Sequence, residues 1–191
     1  MDVLEAIHHR RAVRDYLDAP LDRQLIEAVI GDAIWAPSGM NRQPWRFFVI
    51  EGRNTLARCS AEAKALMLAE AEHRPEIAAV RGMLEQQEFN IFYNAPALII
   101  ICASEADEMA AKDCCLAAQT LMLAAWARGL GTCWIGFAEA WLNSPAGKAE
   151  LGVPEAFRPV APILIGRPKV AGDPPPRKAP EIGFVSLRAA S

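Results

Sequence analysis

The chain has 191 residues, 52% apolar and 23% charged, which is enough to bury the core of one globular domain and too apolar for wholesale disorder. Its formal net charge of -3 supplies no large basic surface, so neither nucleic acid nor a membrane surface is an expected partner. One domain over 1–191 is expected, with 168–191 as a Pro-rich C-terminal arm.

The first stretch, "MDVLEAIHHRR", sets acids before its basic cluster and has no apolar core followed by a small-residue cleavage site. It reads as the start of a cytoplasmic protein. Apolar residues at helical spacing predict helices over 3–9 and 22–34, the second with Asp22 as N-cap after Pro20. "WRFFVIE", 45–51, is an aromatic and β-branched run between Pro44 and Gly52, a strand. Strong helix formers fill 55–73. A helix is also expected over 76–92, where Gly82 weakens the pattern.

"PALIIICAS", 96–104, is continuously apolar, as a central strand covered on both faces should be. A long helix over about 107–128 ends at Gly129, a residue suited to the left-handed position past a helix end. Within it the longest apolar run, Cys114 to Ala127, includes Gln119 and is shorter than the roughly 20 residues of a membrane span. Strands over 131–136 and 160–166 flank a short helix at 145–151. The tail, "RPKVAGDPPPRKAP" and then "EIGFVSL", cannot bury its own backbone, so it should lie on another surface such as that of a partner subunit.

Cys59, Cys102, Cys114, Cys115 and Cys133 make neither an even disulfide framework nor a Cys-x-x-Cys pair. They read as reduced core thiols; Cys114 and Cys115, adjacent on a helix, diverge by about 100° and serve as small apolar filler. His8, His9 and His73 have no ligand set around them, so no metal is expected.

Three stretches could carry chemistry. "HHRRAVRDY" concentrates Arg10, Arg11 and Arg14; guanidinium groups grip phosphate oxygens bidentately, although a basic helix end also accounts for them. Arg10 and Arg14 share a face if the helix continues, and an exit into extended chain fits equally well. In "APSGMNRQPW", Pro37 and Gly39 bend the chain while Ser38, Asn41 and Gln43 add groups that both donate and accept, the set a flavin or pyrimidine wants. A plain polar loop fits the same residues. "GLGTCWIG" sets glycines around an apolar strand, where backbone amides can approach a flat ligand, and lacks the Gly-x-Gly-x-x-Gly spacing of a Rossmann site.

In this order "RRAVRDY", "APSGMNRQPWRFFVI", "NAPALIII", "GLGTCWIG" and "PILIGRPK" resemble the FMN-dependent nitroreductase family in its compact form of under 200 residues, over nearly the whole chain. The resemblance implies an α+β, three-layer fold with a mostly antiparallel sheet between helices. It also implies a homodimer with FMN at the interface and a C-terminal arm exchanged between subunits. Arg10 and Arg14, with Arg11, match the motif that holds the FMN phosphate and ribityl chain. Ala12 stands where many members have Ser, so a side-chain contact is lost and a backbone contact survives. Pro37, Ser38 and Gly39 match the turn that lies along the flavin from the other subunit, and Asn41 the polar contact beside it. Trp134, Ile135 and Gly136 match the strand end near the flavin's pyrimidine side and N5. Arg177 or Lys178 matches a basic phosphate contact in the tail, with Arg167 a further candidate.

The implied activity is ping-pong: NADH or NADPH reduces bound FMN, which passes electrons to a nitroaromatic, quinone or similar small-molecule acceptor. No protein acid, base or nucleophile is required, and Glu139, Asp113 and the histidines have no recognisable catalytic partners. The same scaffold serves enone reduction, dehalogenation or flavin fragmentation, and a non-catalytic flavin-binding protein is the reading of another class. A lid over 60–93 should select the acceptor, with Met67, Met83, Phe89, Phe92 and Tyr93 either lining it or packing the core.

Overall fold

The computed structural model describes residues 2–170, 172 and 175–185. Met1, Ala171, Asp173, Pro174 and 186–191 lie outside, and with them parts of the expected arm, including Ser186 and Leu187 of its apolar end.

Side-chain caps start the helices the sequence predicts. Asp2 accepts from the Leu4 N–H at the head of α1 (Val3–His9), and Asp22 accepts from Gln24 at the head of α2 (Arg23–Ala33). The strand β1 (Trp45–Glu51) leads through Gly52, at φ 99°, into α3 (Arg53–Glu70). Next come two single-turn helices, α4 (Pro75–Ala78) and α5 (Arg81–Leu84), then β2 (Ala97–Ala103) and the long α6 (Glu108–Ala127). At the end of α6 the Gly129 N–H reaches Trp126 O and the Leu130 N–H reaches Ala125 O, with Gly129 left-handed at φ 72°. This is the glycine-closed helix end that the sequence predicts. β3 (Gly131–Trp134), α7 (Glu139–Asn143), α8 (Pro145–Leu151) and β4 (Arg158–Gly166) complete the chain.

The four strands form one antiparallel sheet in the order β1-β2-β4-β3. Every residue of β2 is buried, as its unbroken apolar run predicts. Leu98, Ile100 and Cys102 face Leu56, Cys59 and Ala63 of α3, in a layer that also holds Trp141 and Leu142 of α7. Ile99 and Ile101 face Ile26 and Val29 of α2 and the small residues Cys114, Ala117 and Ala118 of α6. Helices, sheet and helices make the expected three-layer α+β fold. Small side chains on α6 let its backbone lie close to the sheet.

The helix expected over 76–92 is a correction: only α4 and α5 form, and the rest is turns. Side chains from elsewhere capture this backbone. Lys64 Nζ donates to the carbonyls of Gln86 and Phe89 at 2.7 and 2.8 Å, and Ser60 Oγ accepts from Ile91 N–H. Asn90 Oδ1 accepts from Phe92 N–H, and Tyr93 and Asn94 turn left-handed at φ 49° and 53°. Phe92 is core, fully buried, rather than lid. The strand expected over 131–136 stops at Trp134, where Gly136–Ala138 tighten into a 3-10 turn before α7. Cys115 is exposed, against its reading as filler, while the other four cysteines are buried and all five are free. Burial pushes the Cys102 and Cys114 thiols up to about 12 and that of Cys59 to about 11, so these are inert packing groups. Among the described residues no helix is long and apolar enough to cross a membrane, and no cluster could hold a metal ion.

Candidate functional site

The arginine stretch leaves the helix. α1 closes on Arg10, whose ψ of 134° turns the chain extended, and 10–16 then runs beside the sheet. Ala12 bridges Thr132 in parallel, the Val13 N–H donates to Thr132 O at 2.9 Å, and Tyr16 bridges Pro168. Two glycines permit this approach. A Cβ on Gly131 would lie 2.6 Å from Val13 Cγ2, and one on Gly166 would lie 2.6 Å from Tyr16 Cδ1. The Tyr16 hydroxyl donates to Val13 O and fixes the strand's exit.

This strand brings like charges together. The Arg10 pKa is lowered, first by burial and then by the charges of Arg11 and of the tail's Arg177. Arg11 Nη1 donates to Arg10 O, while its Nε and Nη2 are buried with no partner. Among the described residues no carboxylate forms an ion pair with Arg10, Arg11, Arg14 or Arg177. Converging guanidinium groups with orphaned donors are costly unless an anion joins them. A phosphate monoester, with nearly two charges and three acceptor oxygens, is the chemistry that would satisfy them. Lys178 and Arg167 are exposed, and Arg167 engages Leu17 through its backbone carbonyl. Arg177 is exposed as well, and of the three tail candidates it is the one whose charge acts on Arg10.

A cavity of about 480 Å³ borders Arg10, Arg11, Val13, Trp126 and Gly131. A second, of about 340 Å³, is lined by Arg14, Tyr93, Cys133, Trp134, Gly136 and Phe137. The Arg14 guanidinium lies 5.8 Å from the centre of the Tyr93 ring. Ile135 sends its side chain into the core and offers only backbone here. Gly136 has open space where a Cβ would stand, so a flat ring can approach its peptide. Burial raises the Cys133 pKa against the pull of Arg14 and Arg10, which keeps the thiol protonated and makes it no nucleophile. Gly136 and Phe137 are also walls of a further cavity, about 680 Å³, which is lined by Met67, Ile77 and Val80.

The turn at 37–43 stands elsewhere. Ser38 Oγ accepts from Gln43 N–H, Gln43 Nε2 donates to Asn41 Oδ1, and Arg42 pairs with Glu105 and Asp107. Met40, Asn41 and Gln43 are all left-handed, at φ 53°, 55° and 51°. The Gly39 N–H donates to the buried carboxylate of Asp113, near the start of α6. Trp126, which borders the arginine cavity, lies 13 residues further along that helix, roughly 20 Å of axial rise. Within one chain Arg10 and Arg11 therefore border one cavity and Arg14, Trp134 and Gly136 a second, while Pro37, Ser38, Gly39 and Asn41 line neither. Tyr93, one of the residues expected to line a lid or pack the core, is a wall residue here, whereas the pairing of Asp113 with Gly39 is not visible in the sequence. The signal for Asp113 was a carboxylate among the small residues of an otherwise apolar helix.

The Nitroreductase family model matches residues 7–167, and the chain belongs to that family. A protein of Methanothermobacter thermautotrophicus, provisionally named as an NADH dehydrogenase/NAD(P)H nitroreductase, is 30% identical over 172 residues, covering 88% of this chain and 78% of its own. The nitrobenzene nitroreductase of Ectopseudomonas oleovorans is 28% identical over 197 residues, covering 85% of each chain. The crystal structure of a nitroreductase with bound FMN from Bacteroides fragilis superposes with a TM-score of 0.80 at 25% identity, covering 99% of this chain and 100% of that one.

Proposed function

We propose that the protein is a cytoplasmic, homodimeric oxidoreductase that binds FMN and uses NADH or NADPH to reduce nitroaromatics, quinones or similar electron-poor acceptors. The observation that carries this reading is the extended 10–14 stretch, which sets the orphaned Arg11 guanidinium and Arg10 at one cavity and Arg14 at a second that is walled by the open face of Gly136. FMN fits that arrangement, with a phosphate at one end and a flat ring at the other; bound, it supplies hydride and electron transfer between donor and acceptor in alternating half-reactions.

The chain's own residues have distinct tasks. Arg10, Arg11 and Arg177 hold the phosphate dianion. The Ala12 N–H makes no backbone hydrogen bond among the described residues and keeps the contact that a hydroxyl would otherwise supplement. Arg14 presents positive charge beside the Trp134–Gly136 backbone, where negative charge on a reduced ring is best compensated. Met67, Ile77 and Val80 give the neighbouring cavity an apolar wall for an acceptor ring, alongside Arg74, Glu76 and Arg158 in the same lining.

A second copy of the chain completes the site. The 37–41 turn, some 20 Å along α6 from the arginines, would meet the partner's flavin through Ser38, Gly39 and Asn41. Met40 is 96% exposed and Trp35 85%, and α1 and α6 add exposed Leu4, Ile7, Met109 and Leu116, apolar surface that a partner would cover. The described arm, 175–185, makes no helix or strand of its own and exposes Ile182, Phe184 and Val185, consistent with an arm that lies on the other subunit.

The test is a visible spectrum of the purified protein followed by anaerobic titration. NADH or NADPH should bleach the bound flavin, and a nitroarene or quinone should restore its colour. Flavin that never bleaches leaves only a binding role, and protein that cannot take up FMN sinks the reading.

A further inference from the structure

Resting on that reading, we propose that Asp113 is a positioning residue of the site: through the Gly39 amide, its buried carboxylate holds the 37–41 turn in the form in which it meets the flavin bound by the other subunit. The carboxylate is 2% exposed, and both of its oxygens accept from the Gly39 N–H, at 3.1 and 3.3 Å. Among the described residues no cation pairs with it; Arg42, whose charge it influences, is committed to Glu105 and Asp107.

Packing alone does not call for a charge here. The neighbours of Asp113 on the buried face of α6 are Ala110, Cys114 and Ala117, and an apolar side chain would fill the same place without the cost of burying a carboxylate. What the carboxylate grips is backbone that needs gripping. Three left-handed non-glycine residues, Met40, Asn41 and Gln43, follow Gly39 within four positions, and such conformations persist only where their surroundings over-determine them. The turn also sits tightly on α6, since a Cβ on Gly39 would lie 3.3 Å from Met109 Cγ. Asp113 thus ties to α6 a turn that stands roughly 20 Å along that helix from its own chain's arginine cavity. The carboxylate touches no reacting atom and acts through Gly39.

The role predicts a pattern that loss of stability alone does not produce. By flavin fluorescence, Asp113→Ala should weaken FMN binding about tenfold to a hundredfold, as loss of a charge-assisted hydrogen bond does, while Asp113→Asn, which keeps an acceptor oxygen, stays within about threefold. In mixed dimers, an Asp113→Ala chain paired with an Arg10→Ala/Arg14→Ala chain regains one site with no defect, because each chain supplies what the other lacks. Flavin content and NAD(P)H oxidation above those of both variant homodimers are expected. Mixed dimers no better than the homodimers would overturn action across the interface, and Asp113→Asn as weak as Asp113→Ala would overturn the hydrogen bond as its basis. Should Asp113→Ala lose cooperative melting, Gly39→Pro takes its place: it removes the same N–H behind an extended Ser38 at φ -140° and ψ 152°. Wild-type protein that takes up no FMN defeats the flavin reading itself. Wild type and Asp113→Ala binding FMN equally defeats only the role of Asp113.

Discussion

Residues 10–16 and 37–43 are both short polar segments, and they solve opposite problems. The first is well tied by its backbone to Thr132 and Pro168, while its side chains carry positive charge that no described carboxylate answers. The second has its charge answered, Arg42 by Glu105 and Asp107, while its backbone is strained at three positions and its Met40 stands in solvent. An orphaned cation asks for an anion, which is a ligand. A strained, internally satisfied turn with an apolar tip asks for a surface, which in the proposed dimer is a second copy of the chain.

The comparison breaks most directly at the arginines. Arg10→Ala with Arg14→Ala should give largely apo protein, with FMN affinity lowered at least about a hundredfold, since each lost charged contact is worth about 1.5–3 kcal/mol; flavin occupancy after purification reads this out, and full occupancy refutes the phosphate assignment. Two glycines then separate scaffold from site. Gly131→Ala drives a Cβ into Val13 and should cost about 1–3 kcal/mol of stability, a fall in Tm of several degrees. Gly136→Ala meets nothing in the chain, so Tm should hold while FMN binding falls; a normal flavin affinity there would remove Gly136 from the ring's approach.

Arg11 sharpens the contrast from the other side. Because its Nε and Nη2 are buried without partners, Arg11→Met should raise the Tm of apo protein by about 2–4 °C, equivalent to about 1 kcal/mol, while weakening FMN binding. The smallest effect belongs to the turn's surface charges. The Arg42 guanidinium and then the Ala110 N–H hold the Asp107 pKa below its ordinary value, so Asp107 stabilises the fold above the unfolded pKa of about 3.9. That contribution is lost as pH falls further through the folded pKa. Melting curves between about pH 5 and pH 2 should therefore fall less steeply for Asp107→Asn than for wild type, with little difference between them at neutral pH.

Much of this was legible before any coordinates. β1, β2, α2 and α6 announce themselves through local patterns: a continuous apolar run, a helical stripe, an Asp at the cap and a Gly past the end. The arginine cluster and the glycine-flanked strand were readable because their chemistry lies in residue type and order. What escaped depends on partners distant in the chain. Lys64 takes the carbonyls of Gln86 and Phe89 from 22 and 25 residues away and prevents the helix that 76–92 suggests. Asp113 is 74 positions from Gly39, so no window along the chain shows them together. The influence of Arg177 on Arg10 likewise depends on the tail's path, because a Pro-rich segment carries no periodicity to fix its register.

The Lys64 clamp has a consequence for motion. One ammonium holds two carbonyls of the segment that leads to Tyr93, and α4 and α5 before it are single turns without a side-chain cap. That stretch can therefore open as a unit while β2, buried on both faces, stays closed. Amide protons of 85–90 should accordingly exchange with solvent through this local opening, and those of β2 only when the whole domain unfolds. The wall proposed to select the acceptor would thus open locally without unfolding the sheet.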